Sequence, residues 1–218
     1  MRALDLFSGT HSWGREASKM GFEVISVDLD PTYSPDLCMS VLDLELDRWP
    51  EGHFDVIFAG PPCTQYSKAR TTGGDRDLAG ADALVQATLA LIRALRPKYY
   101  FIENPASGLL PTRDFMRNLP YAQISYCMYG FSYRKLTNIW TNSLNVWKPR
   151  PVCAKNCAAM IPSPSGGWRH RSSAQRGASF PGDASWSQYD LYMVPPALIV
   201  EILESIIPSL STAEPSSV

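Results

Sequence analysis

The chain has 218 residues and 45% of them are hydrophobic, enough to bury a full core and too apolar for a disordered protein. Twenty lysines and arginines against 21 acids leave a net charge of −1, which excludes a generally polybasic, histone-like protein but not a local basic patch. No apolar run approaches the ~18 residues of a membrane span and the N-terminal residues lack a signal peptide's apolar stretch; the expectation is a soluble protein, cytoplasmic or nucleoid-associated in a prokaryotic or viral setting and nuclear in a eukaryotic one.

Residues 3–7 read as a short strand that breaks at Ser8-Gly9, and a helical stretch over 12–20 stops at Gly21. A second strand over 22–27 ends in Asp28-Leu29-Asp30, and a third over 54–59 is halted by Gly60-Pro61-Pro62. Leu84, Val85, Leu89, Ile92 and Leu95 fall at helical spacing within 80–96, and Pro97 ends that helix. Strands follow over 99–102, 124–128 and 136–141, the last two joined by Tyr129-Gly130-Phe131-Ser132. Strands alternating with helices predict an α/β fold, a mostly parallel sheet with helices on both faces. Such sheets bind ligands at the carboxyl ends of their strands.

From 148 to 188 the composition shifts to proline, serine and glycine with interleaved basic and aromatic residues. Six Lys/Arg and one acid give this stretch +5, leaving −6 for the rest of the chain. It reads as a weakly structured basic insert. A helix with Leu198, Ile199, Ile202, Leu203 and Ile206 on one face spans 194–207, and the residues from 211 read as a frayed tail. The organisation expected is therefore a catalytic and cofactor-binding unit over 1–147, an insert over 148–188, a returning C-terminal segment over 189–210 and a tail over 211–218.

Three short stretches carry chemistry, each directly after a strand. In Asp5-Leu6-Phe7-Ser8-Gly9-Thr10-His11-Ser12-Trp13-Gly14 a small-residue turn leads into a helix, which opens backbone amides to a ligand. Asp28 closes the next strand where an acid can accept from ribose hydroxyls, and Asp43 could do the same for an adenine amino group. The glycines do not fit the GxGxxG pattern of nicotinamide enzymes. In Gly60-Pro61-Pro62-Cys63-Thr64-Gln65 two prolines stiffen the backbone presenting a thiol, a nucleophile if its pKa is lowered. In Glu103-Asn104-Pro105 a carboxylate at the sheet's mouth can donate a proton near neutrality if partly buried.

Taken together and in this order, Asp-Leu-Phe-Ser-Gly, Pro-Pro-Cys and Glu-Asn resemble the cytosine-C5 DNA methyltransferase family. The resemblance runs from Leu4 to about Asn142 and resumes at Tyr189-Asp190-Leu191-Tyr192-Met193-Val194-Pro195-Pro196. It implies a Rossmann-like methyltransferase fold with S-adenosylmethionine held by Asp5, Phe7, Ser8, Gly9, His11, Trp13, Asp28, Leu29, Asp43, Gly60, Pro61 and Val194. Of these, His11 reads from the residues alone as a helix cap. The resemblance further implies that Cys63 attacks C6 of a cytosine flipped out of the duplex, that Glu103 holds or protonates N3, and that Pro61 and Asn104 shape the base pocket. The chain departs from the family's pattern in three places. Thr64 intervenes before Gln65, Glu-Asn-Val is Glu-Asn-Pro, and the Gln-x-Arg-x-Arg motif falls at Tyr133-Arg134-Lys135-Leu136-Thr137. Lys135 stands at the first arginine and Thr137 at the second, whose contact to O2 of cytosine Arg134 could supply only after a backbone shift.

The insert is short for a target-recognition region. Trp168, Arg169, Arg171 and Arg176 suit phosphate contacts beside a stacking aromatic, and Lys68, Arg70 and Arg76 flank a Thr-Thr-Gly-Gly lid that could close over nucleic acid. The expected partner is double-stranded DNA, the chain acting as a monomer with room for a partner that supplies sequence specificity. RNA or a free nucleotide as substrate, a catalytically silent binding module and an amino-group methyltransferase are the competing readings; the last has no need of Cys63. Five scattered cysteines read as thiols rather than a disulfide framework. Cys153, Cys157 and His170 give three ligands of a zinc site that stays incomplete unless Asp183 or another group joins, so ordinary thiols and no metal are expected there.

Overall fold

The computed structural model describes residues 1–68, 74–174 and 185–211. Seven strands, β1 (Arg2–Leu6), β2 (Glu23–Asp28), β3 (Leu37–Cys38), β4 (Val56–Ala59), β5 (Tyr99–Pro105), β6 (Tyr121–Ser125) and β7 (Leu136–Thr141), form one sheet in the order β3-β2-β1-β4-β5-β7-β6. Neighbours from β3 to β5 pair in parallel, and β7 runs antiparallel to both β5 and β6, so β7 alone is reversed.

The central strands are covered on both faces, which is why they read as continuous apolar runs rather than alternating ones. In β4 all four residues are buried, Val56 and Phe58 in one layer and Ile57 and Ala59 in the other. Helices α1 (Ser12–Lys19) and α4 (Pro196–Leu210) cover the first layer, where Trp13 stacks on Phe58 with ring centroids 4.7 Å apart. Helix α2 (Leu78–Leu95) covers the second with Val85, Leu89, Leu91 and Leu95. By length and composition Leu78–Leu95 and Gln188–Leu210 could each cross a membrane; here their apolar residues form the two inner layers. On α4, Leu198, Ile199, Ile202, Leu203 and Ile206 are completely buried. At about 1.5–3 kcal/mol each, their burial fixes the returning helix on the sheet, and Glu201 adds an ion pair with Arg150.

Chain order reverses direction across the sheet between β1 and β4, which places a ligand crevice at their carboxyl ends. Three segments differ from the sequence expectations. The strand expected over 124–128 ends at Ser125, because the pairing with β7 stops at Leu136; residues Tyr126–Tyr129 form a 3-10 turn closed by Gly130 at φ 95°. The insert is not unstructured: β8 (Met160–Pro162) and β9 (Trp168–His170) make an antiparallel hairpin. A short helix α3 (Gln188–Tyr192) precedes α4, nucleated by a capping box in which Ser187 and Asp190 bond reciprocally.

Candidate active site

The loop after β1 is shaped by three consecutive odd-numbered residues in left-handed backbone: Phe7 (φ 57°), Gly9 (φ 42°) and His11 (φ 54°). Side-chain costs of that conformation at Phe7 and His11 are met by bonds across the turn. The amide of Ser8 donates to the Val27 carbonyl at 3.1 Å, and that of Gly9 donates to Oδ2 of Asp28 at 2.8 Å. The other Asp28 oxygen accepts from the Asp30 amide at 2.9 Å, so this acid ties the β1 and β2 loops together. Behind them Asp5 accepts from the Gly14 amide at 3.0 Å. A Cβ on Gly14 would lie only 3.0 Å from that same carboxylate, so the close approach needs glycine. Burial pushes the Asp5 carboxyl up to about 8, outweighing the amide bond, with the charge of Asp28 adding to the rise.

The nucleophile side follows β4. The Gly60 amide donates to the Leu6 carbonyl at 3.2 Å, and Nδ2 of Asn104 donates to the Pro61 carbonyl at 2.8 Å, so the proline turn is fastened to β1 and β5. Beyond Cys63 the amides of Tyr66 and Ser67 both donate to its carbonyl, and the buried Tyr66 hydroxyl donates to Asp82 on α2 at 2.8 Å. Cys63 is half-buried. Burial pushes its thiol pKa up; Lys135 opposes that rise and Glu103 adds to it. A simple lowering of the thiol pKa is therefore not what the fold provides on its own.

Glu103, 8% exposed near the end of β5, accepts at Oε1 from the Tyr126 hydroxyl at 2.8 Å, and the Lys135 ammonium stands 3.5 Å from the same oxygen. Tyr126, buried beside that carboxylate, is held far above its ordinary pKa and so stays a donor. The Lys135 Nζ lies 4.8 Å above the Tyr126 ring and donates to the Leu191 carbonyl at 3.5 Å. Cysteine, carboxylate, ammonium and phenol thus form one cluster.

These loops enclose a cavity of about 310 Å3. Of the residues expected from sequence, Phe7, Ser8, Gly9, Trp13, Asp28, Leu29, Gly60, Pro61, Val194, Cys63, Glu103 and Lys135 line it. Five do not. Asp5 is buried beneath the loop and supports Gly14. His11 turns its ring to the Tyr33 carbonyl at 2.5 Å, propping the neighbouring turn. Asp43 is exposed because its 3-10 turn directs Val41 inward instead. Asn104 acts through Pro61, and Arg134 is exposed on the approach to β7, where neighbouring side chains alternate sides and Lys135 takes the inward one. Thr137 is fully buried opposite Pro105. The sequence reading missed Tyr33, Ser40, Val41 and Tyr192 on the wall, and Tyr126 behind Glu103. An aromatic following a short strand gives no signal of that kind.

Of the expected nucleic-acid set, Lys68 and Arg171 are exposed and Trp168 is 63% exposed on β9. Arg76 donates to the Gln65 carbonyl at 2.7 Å and closes its own loop, and Arg169 donates to the carbonyls of His170 and Arg171, bracing the hairpin. Arg70, Arg176, Asp183 and most of the Thr-Thr-Gly-Gly stretch lie outside the described residues. The ligand atoms of Cys153, Cys157 and His170 gather with that of Cys127, which the sequence reading did not place there, all within 4.8 Å of one another.

A family model described as C-5 cytosine-specific DNA methylase matches residues 1–117. The chain is 35% identical over 221 residues to the protein named "Probable DNA (cytosine-5)-methyltransferase" of Frog virus 3 (isolate Goorha), across 94% of this chain and 99% of that protein. Among solved structures, a prophage-encoded E. coli protein described as a DNA modification methyltransferase superposes with a TM-score of 0.51 at 18% identity. The match covers 94% of this chain and 69% of that one, a likeness of fold.

Proposed function

The chain belongs to the C-5 cytosine-specific DNA methylase family, and we propose that it transfers a methyl group to C5 of cytosine in DNA with Cys63 as nucleophile and Glu103 as the group at N3. The observation that carries this assignment is the convergence of Cys63, Glu103 and Lys135 on one cavity with the Phe7-Ser8-Gly9 loop at its other end.

The cofactor end fits S-adenosylmethionine. The hydroxyl of Ser8 and the indole N–H of Trp13 are buried, line the cavity and have no hydrogen-bond partner among the described residues. Such groups are costly unless a ligand completes them. Ser8 and Trp13, with the backbone of Phe7 and Gly9, would hold the polar part of the cofactor; Asp28, whose oxygens retain acceptor capacity, would take ribose hydroxyls and Leu29 would cover the base. Bound there, S-adenosylmethionine supplies an electrophilic methyl group.

At the other end the residues answer the difficulty of the substrate. C5 of cytosine is a weak nucleophile until a thiolate adds at C6. The Cys63 thiol must first give up its proton, which burial resists and Lys135 favours. As the sulfur–C6 bond forms, electron density moves towards N3. Glu103, held by Tyr126 through Oε1, has its second oxygen to hold or deliver the proton there. Once C5 carries the methyl group, its proton passes to solvent, the C5–H electrons re-form the C5–C6 double bond and the Cys63 sulfur leaves as a thiolate, which restores the aromatic ring. Lys135, at the place of the motif's first arginine, and not Arg134 is the cation that lines this cavity.

The test is a covalent adduct. An oligonucleotide containing 5-fluorocytosine cannot lose fluorine from C5, so wild-type protein with S-adenosylmethionine should remain attached to it on a denaturing gel, whereas Cys63→Ala should not. Nucleoside mass spectrometry of DNA and RNA from a host lacking 5-methylcytosine identifies the polymer: product in RNA alone would overturn the DNA assignment, and adduct formation by Cys63→Ala would overturn the nucleophile.

A further inference from the structure

We infer that Cys127, Cys153, Cys157 and His170 form a structural zinc site that fastens the basic insert to the sheet. The ligands come from three separate stretches: the 3-10 turn after β6, the loop before β8, and strand β9 itself. Zinc–sulfur bonds of about 2.3 Å and zinc–nitrogen bonds of about 2.0–2.1 Å give a tetrahedron whose sulfur–nitrogen edge is about 3.6 Å. The sulfurs of Cys153 and Cys157 stand 3.5 Å and 3.4 Å from Nε2 of His170.

Hydrogen bonding does not explain that convergence. A neutral imidazole offers one lone pair on its acceptor nitrogen, and here two thiols point at the same atom while a third belongs to the same cluster, within 4.8 Å. A single cation satisfies all four donors at once. The backbone is arranged for it. Lys155 adopts left-handed φ (63°) within Cys153-Ala-Lys-Asn-Cys157, and its amide donates to the Cys153 sulfur at 3.3 Å, the outer bond that steadies a metal-held thiolate. Three sulfurs and one imidazole suit zinc, and because the protein fills all four positions none is left for a substrate. On binding, the three thiols release their protons to solvent and His170 contributes its neutral nitrogen, so the filled site carries one net negative charge.

Arg150 and Trp186 anchor the two ends of the insert to the core, but the hairpin between them needs a fastening of its own. No residue of β8 or β9 is buried, and the strands have three residues each. A two-stranded hairpin of that kind is marginal alone. Small units without a core are held by metals or disulfides. Ser125 and Ser132 add bonds to Cys153 and Ser172, but these are at the same junction and supply no apolar burial.

The full chain, purified from zinc-sufficient cells without chelator or added metal, is expected to hold one zinc per chain, retained through dialysis and released when a mercurial blocks the thiols. Cobalt exchanged into it should give the absorption of a tetrahedral ion with thiolate charge-transfer bands. Cys157→Ser should lose the zinc while Cys38→Ser, an exposed thiol elsewhere, keeps it. Metal-free protein with every thiol free, metal-free protein with a thiol titre lowered by a disulfide, or cobalt bands typical of oxygen ligands would each overturn the assignment. Should Cys157→Ser fail to fold, the wild-type cobalt spectrum still decides.

Discussion

The cofactor-facing half of the cavity is built around one contiguous stretch and its own backbone, with Asp28 and Leu29 brought to it from the end of β2. Phe7, Ser8, Gly9 and Trp13 follow one another in sequence, and Asp28 and Asp5 hold that loop by accepting amides. The base-facing half is assembled from side chains that the chain brings from four places: Cys63 after β4, Glu103 in β5, Tyr126 after β6 and Lys135 before β7. The first arrangement fixes a shape; the second fixes a set of charges. Changes in the base-facing half should therefore alter rates with little effect on folding, and changes beneath the cofactor loop should alter stability before they alter rates.

The largest effect expected is at Glu103. Replacing Glu103 with Gln keeps the shape and can still accept from the Tyr126 hydroxyl, but it removes the proton carrier at N3. Methyl transfer in a single turnover should slow by on the order of 10²-fold or more, with the melting temperature nearly unchanged. Equal turnover would take Glu103 out of the mechanism; a large fall in melting temperature would break the division drawn between the two halves.

Lys135 comes next. Its ammonium is the larger of two influences that hold the Cys63 thiol down against burial, a backbone amide being the other, so Lys135→Met leaves that thiol higher still. A nucleophile with a raised pKa is mostly protonated at neutral pH, and its reactive fraction grows as pH rises. The variant should turn over more slowly near neutrality in a single-turnover assay, where a smaller fraction of its thiol is ionised. The rising limb of its pH–rate profile should move to higher pH. A uniform loss at all pH values would mean that Lys135 binds the base without tuning the thiol.

The same division explains what could be read from the sequence. Strands β1, β2, β4, β5 and β7, the helices that cover them and the three motif-bearing loops were legible because each lies within a few contiguous residues, and a strand followed by small residues announces a turn; the two-residue β3 gave no such signal. The base-facing partners were not. A strand over 124–128 leaves no turn to carry Tyr126 under Glu103 or to bring Cys127 towards Cys153; that depends on the β6–β7 register ending at Ser125 and Leu136. Lys135 and Arg134 differ by one residue, and only the entry angle into β7 decides which reaches the cavity. Asp43 and His11 illustrate the converse, since plausible residue types at plausible spacing were turned away by local 3-10 and left-handed backbone. The capping box of Ser187 and Asp190 straddles the boundary drawn between the weakly structured insert and the returning segment, and neither composition announces a separate short helix there.

Asp5 gives the smallest effect and the cleanest test of the cofactor half. Its carboxyl is held at about 8 in the folded chain against an ordinary value of 3.8, chiefly by burial. The folded state therefore keeps a proton that the unfolded chain releases. Stability from this group is complete below about pH 4 and is lost as pH rises towards and through about 8, the reverse of a salt-bridged carboxylate. Asp5→Asn retains an oxygen for the Gly14 amide and cannot ionise. Its melting temperature should decline less than that of the wild type between weakly acidic and weakly alkaline buffer, each kcal/mol of relief appearing as about 2–4 °C. Because Asp5 does not line the cavity, the Michaelis constant for S-adenosylmethionine should stay close to that of the wild type. Parallel melting curves across that range would mean that Asp5 is ionised in the folded protein, with the Gly14 amide outweighing burial; a large rise in that constant would place its carboxylate in contact with the cofactor after all.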